Sequence, residues 1–277
     1  MQSLLQRHGL RPQRALGQHF LVDGNILRKL VQALEPGPED WVLEIGPGLG
    51  VLTGALAGSA RLVTAIEVDK GLLTPLAETL AGLDNVRLVH GDALKADFHG
   101  LWREAGAPAS CKAAGNLPYY ITTPLIFRLL EGDPAFSRLV LMVQREVAAR
   151  LLAPPGGKDY GALTVMAAYQ ARVSLAAQVP SQAFWPRPEV ESAIITVDRL
   201  PQPRISADKG ELSRVVKAAF GQRRKTLLNA LAAGLDMDKE MAAAALAVAG
   251  IDSGRRGETL SLGEFGALAA VLKGEGP

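Results

Sequence analysis

Apolar and polar positions alternate along the chain in a pattern that predicts short buried strands separated by helices. From residue 41 onward, short apolar runs end at a glycine or a polar residue, and the segments between them have helical spacing. Such alternation is typical of a parallel, doubly wound α/β sheet. The predicted strands cover residues 41–45, 62–68, 86–90, 112–115 and 139–143, and the first predicted helices cover residues 49–58 and 71–80.

The pattern changes towards the C-terminus. Residues 173–179 and 194–197 flank a proline-rich stretch at 180–188, which predicts a final antiparallel pair of strands joined by an ordered loop. Beyond residue 200 only helices are predicted, with Gly221, Gly234 and Gly250 at their C-caps. The sequence therefore predicts an α/β domain over residues 1–200 and a smaller all-helical domain over 201–277. The helices predicted there cover residues 211–220, 223–233, 239–249 and 262–272.

Composition excludes several classes of protein. The chain has 277 residues, of which 48% are hydrophobic, so it can bury a sizeable core and is not a disordered protein. No apolar run approaches the roughly 18 residues that would span a bilayer, and the N-terminus lacks the pattern of a secretion signal. One cysteine and four histidines argue against a disulfide framework or a metal cluster. We expect a soluble, monomeric, cytoplasmic protein without a metal and without a membrane partner.

Charge is unevenly distributed. Residues 1–36 and 201–277 are net basic, whereas the segment between them is net acidic. This distribution suits a catalytic body whose basic edges hold a polyanion. A solvated helix face is the alternative interpretation of any single basic cluster. The clusters are Arg7, Arg11 and Arg14, then Arg223, Arg224 and Lys225, then Arg255 and Arg256.

A glycine-rich segment lies where the first predicted strand turns into a helix. Glycines Gly46, Gly48 and Gly50 allow the backbone to approach a ligand closely. A dinucleotide fingerprint starting at Gly46 would require glycine where Val51 stands, and Pro47 lacks an N–H for a pyrophosphate. An oxidoreductase that uses a dinucleotide is therefore disfavoured.

Polar side chains follow three further strands of the predicted sheet. Glu67 ends the second strand, where an acid can accept both hydrogen bonds of a ribose diol. Asp92 follows the third strand and could accept from an adenine amino group, and Asn116 follows the fourth. Glu67 and Asp92 could instead cap the next helices. Their joint position at the carboxyl edge of the sheet favours a ribonucleoside cofactor.

The segment Asn116, Leu117, Pro118 and Tyr119 is the most specific feature of the chain. The Asn116 side-chain oxygen and a main-chain carbonyl ahead of Pro118 are two acceptors for the N–H bonds of an exocyclic purine amine. Acceptors at both N–H bonds favour a pyramidal nitrogen that can attack an electrophile, and Tyr119 could stack on a flipped base. A turn with a packed tyrosine is the structural alternative.

These segments resemble S-adenosylmethionine-dependent adenine-N6 methyltransferases, which have a Rossmann-like sheet. The resemblance covers nearly the whole chain. Residues 17–21 resemble the element that closes over the cofactor in the rRNA adenine dimethyltransferases, and residues 179–193 resemble their second base-binding loop. Residues 220–226 resemble the start of the helical domain in the small-subunit (16S) branch of that family, as distinct from the erythromycin-resistance branch, which modifies large-subunit rRNA.

The resemblance implies a site and a function. It implies that S-adenosylmethionine is the cofactor and that Phe184 stacks on the adenine opposite Tyr119, with Arg223, Arg224 and Lys225 contacting RNA. It also implies dimethylation of two adjacent adenosines in a hairpin near the 3′ end of 16S rRNA, within the small ribosomal subunit or its precursor, and a role in its biogenesis. His19 and Tyr120 stand where family members often have asparagine. The implied cofactor residues are His19, Leu21, Gly46, Gly48, Glu67, Asp92 and Asn116.

Two other classes of function remain open from the residues alone. A non-enzymatic RNA- or DNA-binding protein on the same fold would be expected to have lost the cofactor acids or the Asn-Leu-Pro-Tyr segment, and both are present. A DNA adenine methyltransferase would share the chemistry but is not expected to carry the 220–226 element.

Overall fold

The computed structural model describes residues 2–119, 121–222 and 224–274, and it describes Arg14 by its backbone alone. The chain forms two compact units. The first comprises Met1–Ala148 with Arg172–Arg199, and the second comprises Ala149–Ala171 with Leu200–Pro277. The sequence predicted a single boundary at residue 200. The second unit also includes residues 149–171, because these residues pack with its helices.

The secondary structure follows the predicted order. The strands are β1 (Phe20–Leu21), β2 (Asp40–Ile45), β3 (Leu62–Glu67), β4 (Val86–His90), β5 (Ser110–Asn116), β6 (Arg138–Gln144), β7 (Ala171–Val179), β8 (Phe184–Trp185) and β9 (Ser192–Arg199). The helices are α1 (Gln2–Arg7), α2 (Gly24–Leu34), α3 (Val51–Ala57), α4 (Leu73–Thr79), α5 (Phe98–Glu104), α6 (Thr122–Glu131), α7 (Arg145–Leu152), α8 (Ala162–Gln170), α9 (Lys209–Gly221), α10 (Leu227–Gly234), α11 (Lys239–Val248) and α12 (Leu262–Lys273).

The main sheet has seven strands in the order β4-β3-β2-β5-β6-β9-β7. Strands β4, β3, β2, β5 and β6 are parallel, and β9 runs antiparallel to β6. The predicted parallel sheet is confirmed, and each predicted strand is present with ends that differ by at most two residues. The carboxyl ends of β2, β3, β4 and β5 therefore lie side by side.

Strand β2 lies between β3 and β5 in the buried interior of the sheet. Every residue of β2 is buried, as expected for a parallel strand that is covered on both faces. Trp41 in β2 is fully buried, and its indole N–H donates a 2.9 Å hydrogen bond to the Thr64 hydroxyl on β3. Neighbouring helix α2 buries Ile26, Leu30 and Leu34 at four-residue spacing, which places them on one helix face against the sheet core.

The second unit is helical. Its helices α9, α11 and α12 lie close to the predicted bounds, but α10 begins at Leu227 rather than at residue 223. The reason is local: Thr226 has an extended backbone (φ −64°, ψ 158°) and serves as the N-cap. Gly221 and Gly234 are the last residues of their helices, and Gly250 has a left-handed backbone with φ of 70°. The C-caps are Gln222, Leu235 and Ala249, so each of the three glycines lies one residue away from the predicted cap position.

Candidate active site

The glycine loop after β2 forms one wall of a cleft at the carboxyl edge of the sheet. Gly46, Gly48 and Gly50 have φ values of 69°, 59° and 81°, a left-handed region that favours glycine. A Cβ on Gly48 would lie 3.0 Å from the Phe20 ring. The loop thus lies directly under the segment that contains β1, and the Phe20 ring leaves no room for a side chain at position 48.

Glu67 ends β3 beside this loop. Its two carboxylate oxygens accept hydrogen bonds from the backbone N–H of Gly48 at 3.2 Å and of Asp69 at 2.8 Å. Glu67 is 5% exposed, and burial raises its pKa above the ordinary value. Each carboxylate oxygen has a second lone pair, so Glu67 can still accept from a ligand in the cleft.

Asp92 follows β4 and lines the same cleft. Its carboxylate accepts a 2.9 Å hydrogen bond from the backbone N–H of Leu94, and Lys95 lies 3.9 Å away. Asp92 therefore orders the turn after β4 and also faces the cleft, so the local capping role and a ligand-binding role are compatible.

The end of β5 presents the Asn-Leu-Pro-Tyr segment to the cleft. The Asn116 amide nitrogen donates a 2.8 Å hydrogen bond to the carbonyl oxygen of His19, which leaves the side-chain oxygen as the acceptor. Leu117 is 1% exposed, and its N–H donates a 3.0 Å hydrogen bond to Met142 on β6. Both acceptor-bearing residues are therefore fixed by hydrogen bonds to neighbouring elements.

Tyr119 lies at the mouth of the site with one ring face against His19. The two ring centroids are 6.0 Å apart with an interplanar angle of 26°, and the Tyr119 hydroxyl is 3.3 Å from the Ser192 hydroxyl. His19 Nδ1 is 2.7 Å from the Pro186 carbonyl oxygen, and since a carbonyl only accepts, Nδ1 carries a proton. His19 thereby ties the N-terminal segment to the loop after β8.

The segment before β1 is tied to the rim of the cleft by Asp69. The Asp69 carboxylate accepts hydrogen bonds from the side-chain amides of Gln13 at 2.8 Å and Gln18 at 2.6 Å, and from the Gly71 N–H at 2.9 Å. Leu21 follows in β1, where it pairs with Phe184 of β8 and is buried. The segment 17–21 thus lies beside the glycine loop through the contact of Phe20 with Gly48, and its covering of the cofactor stays a prediction.

Phe184 is buried in the structure. It is 4% exposed and packs in the core cluster that includes Leu21 and Ile26, and its stacking on the adenine opposite Tyr119 stays a prediction. The reason is strand alternation in the β1–β8 pair: Phe184 points into the core, and the next residue, Trp185, points to the other side. Trp185 is partly exposed, stacks on Phe20 at 6.5 Å and borders the same surface cleft as Tyr119.

The basic residues predicted to contact RNA lie in the second unit. Arg224 and Lys225 are exposed in the turn between α9 and α10. Arg223, like Tyr120, lies outside the described residues. In the other clusters, Arg7 is paired with Glu78 and Arg255 with Glu264, which makes part of each cluster an internal ion pair.

The cleft contains an acid that the sequence analysis missed. Glu44 on β2 is 1% exposed and lines the cleft between the strands that carry Glu67 and Asn116. Burial raises its pKa to about 8. The signal was present in the sequence, because Glu44 is the one acid within an otherwise apolar strand core.

The lining of the cleft fits a cationic nucleoside cofactor. Its titratable acids are Glu44, Glu67 and Asp92, and among the described lining residues no lysine or arginine is present. A glycine loop admits the ligand closely, and the acids can accept from hydroxyl and amino groups. The orphaned oxygen of the buried Glu44 carboxyl matches a positively charged group in the ligand.

The described part of the chain has neither a metal-binding cluster nor a membrane-spanning helix. Residues 2–119, 121–222 and 224–274 contain no group of three or more His, Cys, Asp or Glu side chains that could hold a metal ion. No helix within those ranges is long and apolar enough to cross a membrane.

Comparison with known proteins identifies the family. A profile of the family described as ribosomal RNA adenine dimethylase matches residues 9–269. The chain belongs to this ribosomal RNA adenine dimethylase family. It is accordingly an S-adenosylmethionine-dependent enzyme that methylates adenine in ribosomal RNA, and the predictions of the family, the sheet, the cofactor and the enzymatic activity are confirmed.

Relatives within the ribosomal RNA adenine dimethylase family are similar over nearly the whole chain. A protein of Moorella thermoacetica named Ribosomal RNA small subunit methyltransferase A is 50% identical over 277 residues, covering 98% of this chain and 96% of that protein. A protein of the same name from Geobacillus kaustophilus is 45% identical over 274 residues, covering 97% of this chain and 94% of that protein.

Solved structures agree with this assignment to the ribosomal RNA adenine dimethylase family. A dimethyladenosine transferase from Plasmodium falciparum superposes with a TM-score of 0.78 at 26% identity, covering 93% of this chain and 98% of that one. The 23S rRNA methyltransferase ErmE gives a TM-score of 0.68 at 28% identity, covering 92% and 99%.

Proposed function

We propose that this enzyme dimethylates N6 of two adjacent adenosines in a hairpin near the 3′ end of 16S rRNA, and that it acts as a monomer in the cytoplasm during small-subunit biogenesis. The names of its relatives in Moorella thermoacetica and Geobacillus kaustophilus support the small subunit as the substrate. Unpaired loop bases are easier to extrude than paired ones, which suits a hairpin substrate.

The observation that carries the proposal is the position of Asn116 at the end of β5. Its side-chain oxygen and the Leu117 carbonyl accept the two hydrogens of adenine N6, so that the nitrogen lone pair is released from the ring and directed into the cleft. S-adenosylmethionine supplies the electrophilic methyl group on a sulfonium sulfur. The chain contributes chiefly positioning and a fixed arrangement of dipoles.

Proton transfer needs no dedicated base in this site. After transfer, the methylated N6 is cationic and acidic, and the Asn116 and Leu117 oxygens accept its hydrogens until one proton leaves for water. One N–H then remains for a second round. Pro118 shapes the wall of the cleft beside the nitrogen, and Tyr119 supports the base by stacking.

The remaining site residues hold the cofactor in the proposal. Glu67 accepts from the ribose hydroxyls and Asp92 from the adenine amino group. Gly46 and Gly48 line the cleft with left-handed backbones (φ 69° and 59°), and the lack of a side chain lets the ligand approach their backbone closely. His19 and Leu21 cover the cleft from the segment that Asp69 anchors.

RNA binding involves the exposed basic turn of the second unit. Arg224 and Lys225, together with Arg223, are proposed to contact phosphates, so binding should weaken as salt increases. The double variant Arg224→Ala/Lys225→Ala should raise the KM for the subunit and reduce the salt dependence, with kcat little changed.

The direct test is methyl transfer from labelled S-adenosylmethionine to small ribosomal subunits that lack the modification. Nucleoside mass spectrometry should find N6,N6-dimethyladenosine in 16S rRNA, mapped to adjacent positions near the 3′ end. Unmethylated large subunits and duplex DNA serve as control acceptors. Preferential methylation of either control would overturn the small-subunit assignment.

A further inference from the structure

Glu44 is a buried acid that the proposed chemistry does not use. It lies on β2 opposite Ala65 of β3 and Ala114 of β5, two residues before Glu67 and Asn116 on those strands. Since residues two apart on a strand point to the same face, Glu44 lies on the same face of the sheet as those residues, one step deeper. It lines the cofactor cleft and is 1% exposed.

The carboxyl group of Glu44 lacks a counter-charge. Glu44 Oε2 has no hydrogen-bond partner among the residues that the structure describes, and the neighbouring Thr53 hydroxyl lowers the pKa of Glu44 by less than burial raises it. The other charge that acts on Glu44 is that of Glu67, which is also negative. A buried carboxylate without a cation beside it is unfavourable, so burial favours the protonated form of Glu44.

The cleft therefore has an unmet preference for a cation. Glu44, Glu67 and Asp92 line it, and the described lining includes no lysine or arginine. The methyl donor carries a positive charge at sulfur, whereas its product, S-adenosylhomocysteine, is an uncharged thioether. Both share the same nucleoside and the same amino-acid group, so the charge at sulfur is what distinguishes them.

We propose that Glu44 recognises the positive charge at the sulfur of the methyl donor and so makes the cleft prefer S-adenosylmethionine over S-adenosylhomocysteine. This inference rests on the proposed roles of the cofactor residues. Glu44 thereby determines which of the two ligands binds more tightly. Methyl transfer removes the positive charge at sulfur, so S-adenosylhomocysteine binds less tightly than the methyl donor. Release of the product precedes the second methylation, so the device suits an enzyme that must exchange cofactor between rounds.

Binding measurements by calorimetry test the proposal with three ligands. S-adenosylmethionine and sinefungin both carry a positive charge at or near the sulfur position, since sinefungin has a protonated amine there, whereas S-adenosylhomocysteine does not. We expect Glu44→Gln to weaken the first two ligands by about tenfold or more, because a charge-assisted contact is lost. The affinity for S-adenosylhomocysteine should change less than about threefold.

Glu67→Gln is the matched control, because it makes the same chemical change in a neighbouring buried acid. It should weaken all three ligands to a similar extent, since the ribose is common to them. Glu44→Asp, which keeps the charge on a shorter side chain, should retain part of the discrimination. An equal effect of Glu44→Gln on all three ligands, or no effect on any, would overturn the proposal.

Proton release gives a second readout. Near pH 7, binding a cation should ionise Glu44 and release a proton, which calorimetry detects as a dependence of the binding enthalpy on the buffer. The release should be larger for S-adenosylmethionine than for S-adenosylhomocysteine, and Glu44→Gln should remove the difference. The region also contains four other titratable side chains, those of Glu67, Asp69, Asp92 and His19. Any protons that these groups exchange on binding are exchanged in the Glu44→Gln variant as well, so they do not account for a difference between variant and wild type.

Failure of this inference is distinguishable from failure of the proposed function. Wild-type protein that methylates 16S rRNA while Glu44→Gln leaves the ligand preference unchanged would overturn the role of Glu44 alone. Wild-type protein that binds none of the three ligands would overturn both.

Discussion

The side-chain amide of Asn116 donates a 2.8 Å hydrogen bond to the main-chain carbonyl of His19. This contact joins the end of β5 to the N-terminal segment that covers the cleft, and it orients the amide so that its oxygen is the acceptor. The residue proposed to position the reacting nitrogen is therefore held by the segment proposed to cover the cofactor. Order in the covering segment and alignment of the acceptor depend on the same bond.

Gly48→Ala should disrupt the close contact between the glycine loop and that segment. Gly48 has a left-handed backbone, and a Cβ there would lie 3.0 Å from the Phe20 ring. We expect the affinity for S-adenosylmethionine, measured by calorimetry, to fall by about tenfold, because either the loop or the Phe20 ring must move. Gly54→Ala is the control, since Gly54 is helical in α3 and an added Cβ comes no closer than 4.0 Å to Leu80. An equal loss in both variants would refute the steric explanation.

Variants at Trp185 and Phe184 should separate an effect on RNA binding from an effect on the stability of the fold. Phe184→Leu should lower the free energy of unfolding by about 1–2 kcal/mol because the ring is buried in the core. Trp185→Leu should raise the KM for the ribosomal subunit several-fold with little change in stability, because Trp185 borders the cleft beside Tyr119. Methylation kinetics and urea unfolding check the two variants. The reverse pattern would mean that Phe184 turns towards the base when RNA binds.

Glu44 should make the first unit less stable as the pH rises. Burial raises its pKa to about 8, so between about pH 4.5 and 8 the folded protein holds a proton that the unfolded chain has lost. Stability due to this group therefore falls with increasing pH across that window. Glu44→Gln should remove this dependence. The free energy of unfolding of the variant minus that of wild type should therefore rise by on the order of 3 kcal/mol between pH 4.5 and pH 7. The three tryptophans Trp41, Trp102 and Trp185 belong to the first unit, so their fluorescence during urea unfolding reports on it.

Interpretation of that experiment depends on the neighbouring acid. Glu67 also has a raised pKa, and it adds a dependence of the same sign that Glu44→Gln leaves in place. A variant whose stability follows the same pH profile as wild type would show that Glu44 is ionised in the folded protein.

The second unit contains an ion pair with the opposite pH dependence. Glu264 pairs with Arg255 and also closes a capping box with Ser261 at the start of α12, and these contacts lower its pKa to about 2. Its contribution is present above about pH 4.5 and is lost as the pH falls towards 2. Glu264→Gln should cost about 1 kcal/mol at neutral pH, measured by urea unfolding followed by circular dichroism. Glu240→Gln at the exposed start of α11 should cost less, and equal losses would argue against a specific role of the Arg255 pair.

The strands and the acids at the sheet edge were predictable because they depend on local patterns. Apolar runs located β2 to β6, and the rule that parallel strands present their carboxyl ends together brought Glu67, Asp92 and Asn116 to one cleft. The same patterns placed the helices of the second unit, where the start of α10 was displaced because Thr226 caps it.

Other features could not be predicted from local patterns, because they depend on contacts between segments that are distant in the sequence. The burial of Phe184 follows from its pairing with Leu21, which no local pattern near residue 184 reveals. The grouping of residues 149–171 with the second unit and the anchoring of Gln18 by Asp69 are of the same kind. Glu44 was visible as an acid in an apolar strand, but its lack of a partner is a property of the folded cleft.

The central claim is that Asn116 positions the adenine nitrogen. It is tested most directly by comparing wild type with Asn116→Ala in single-turnover methyl transfer to unmethylated small ribosomal subunits, with cofactor affinity measured on the same preparations. We expect dimethyladenosine from the wild type and a rate reduced by about 100-fold or more in the variant, beyond any loss explained by weaker cofactor binding. A variant that forms dimethyladenosine within about threefold of the wild-type rate would contradict the claim.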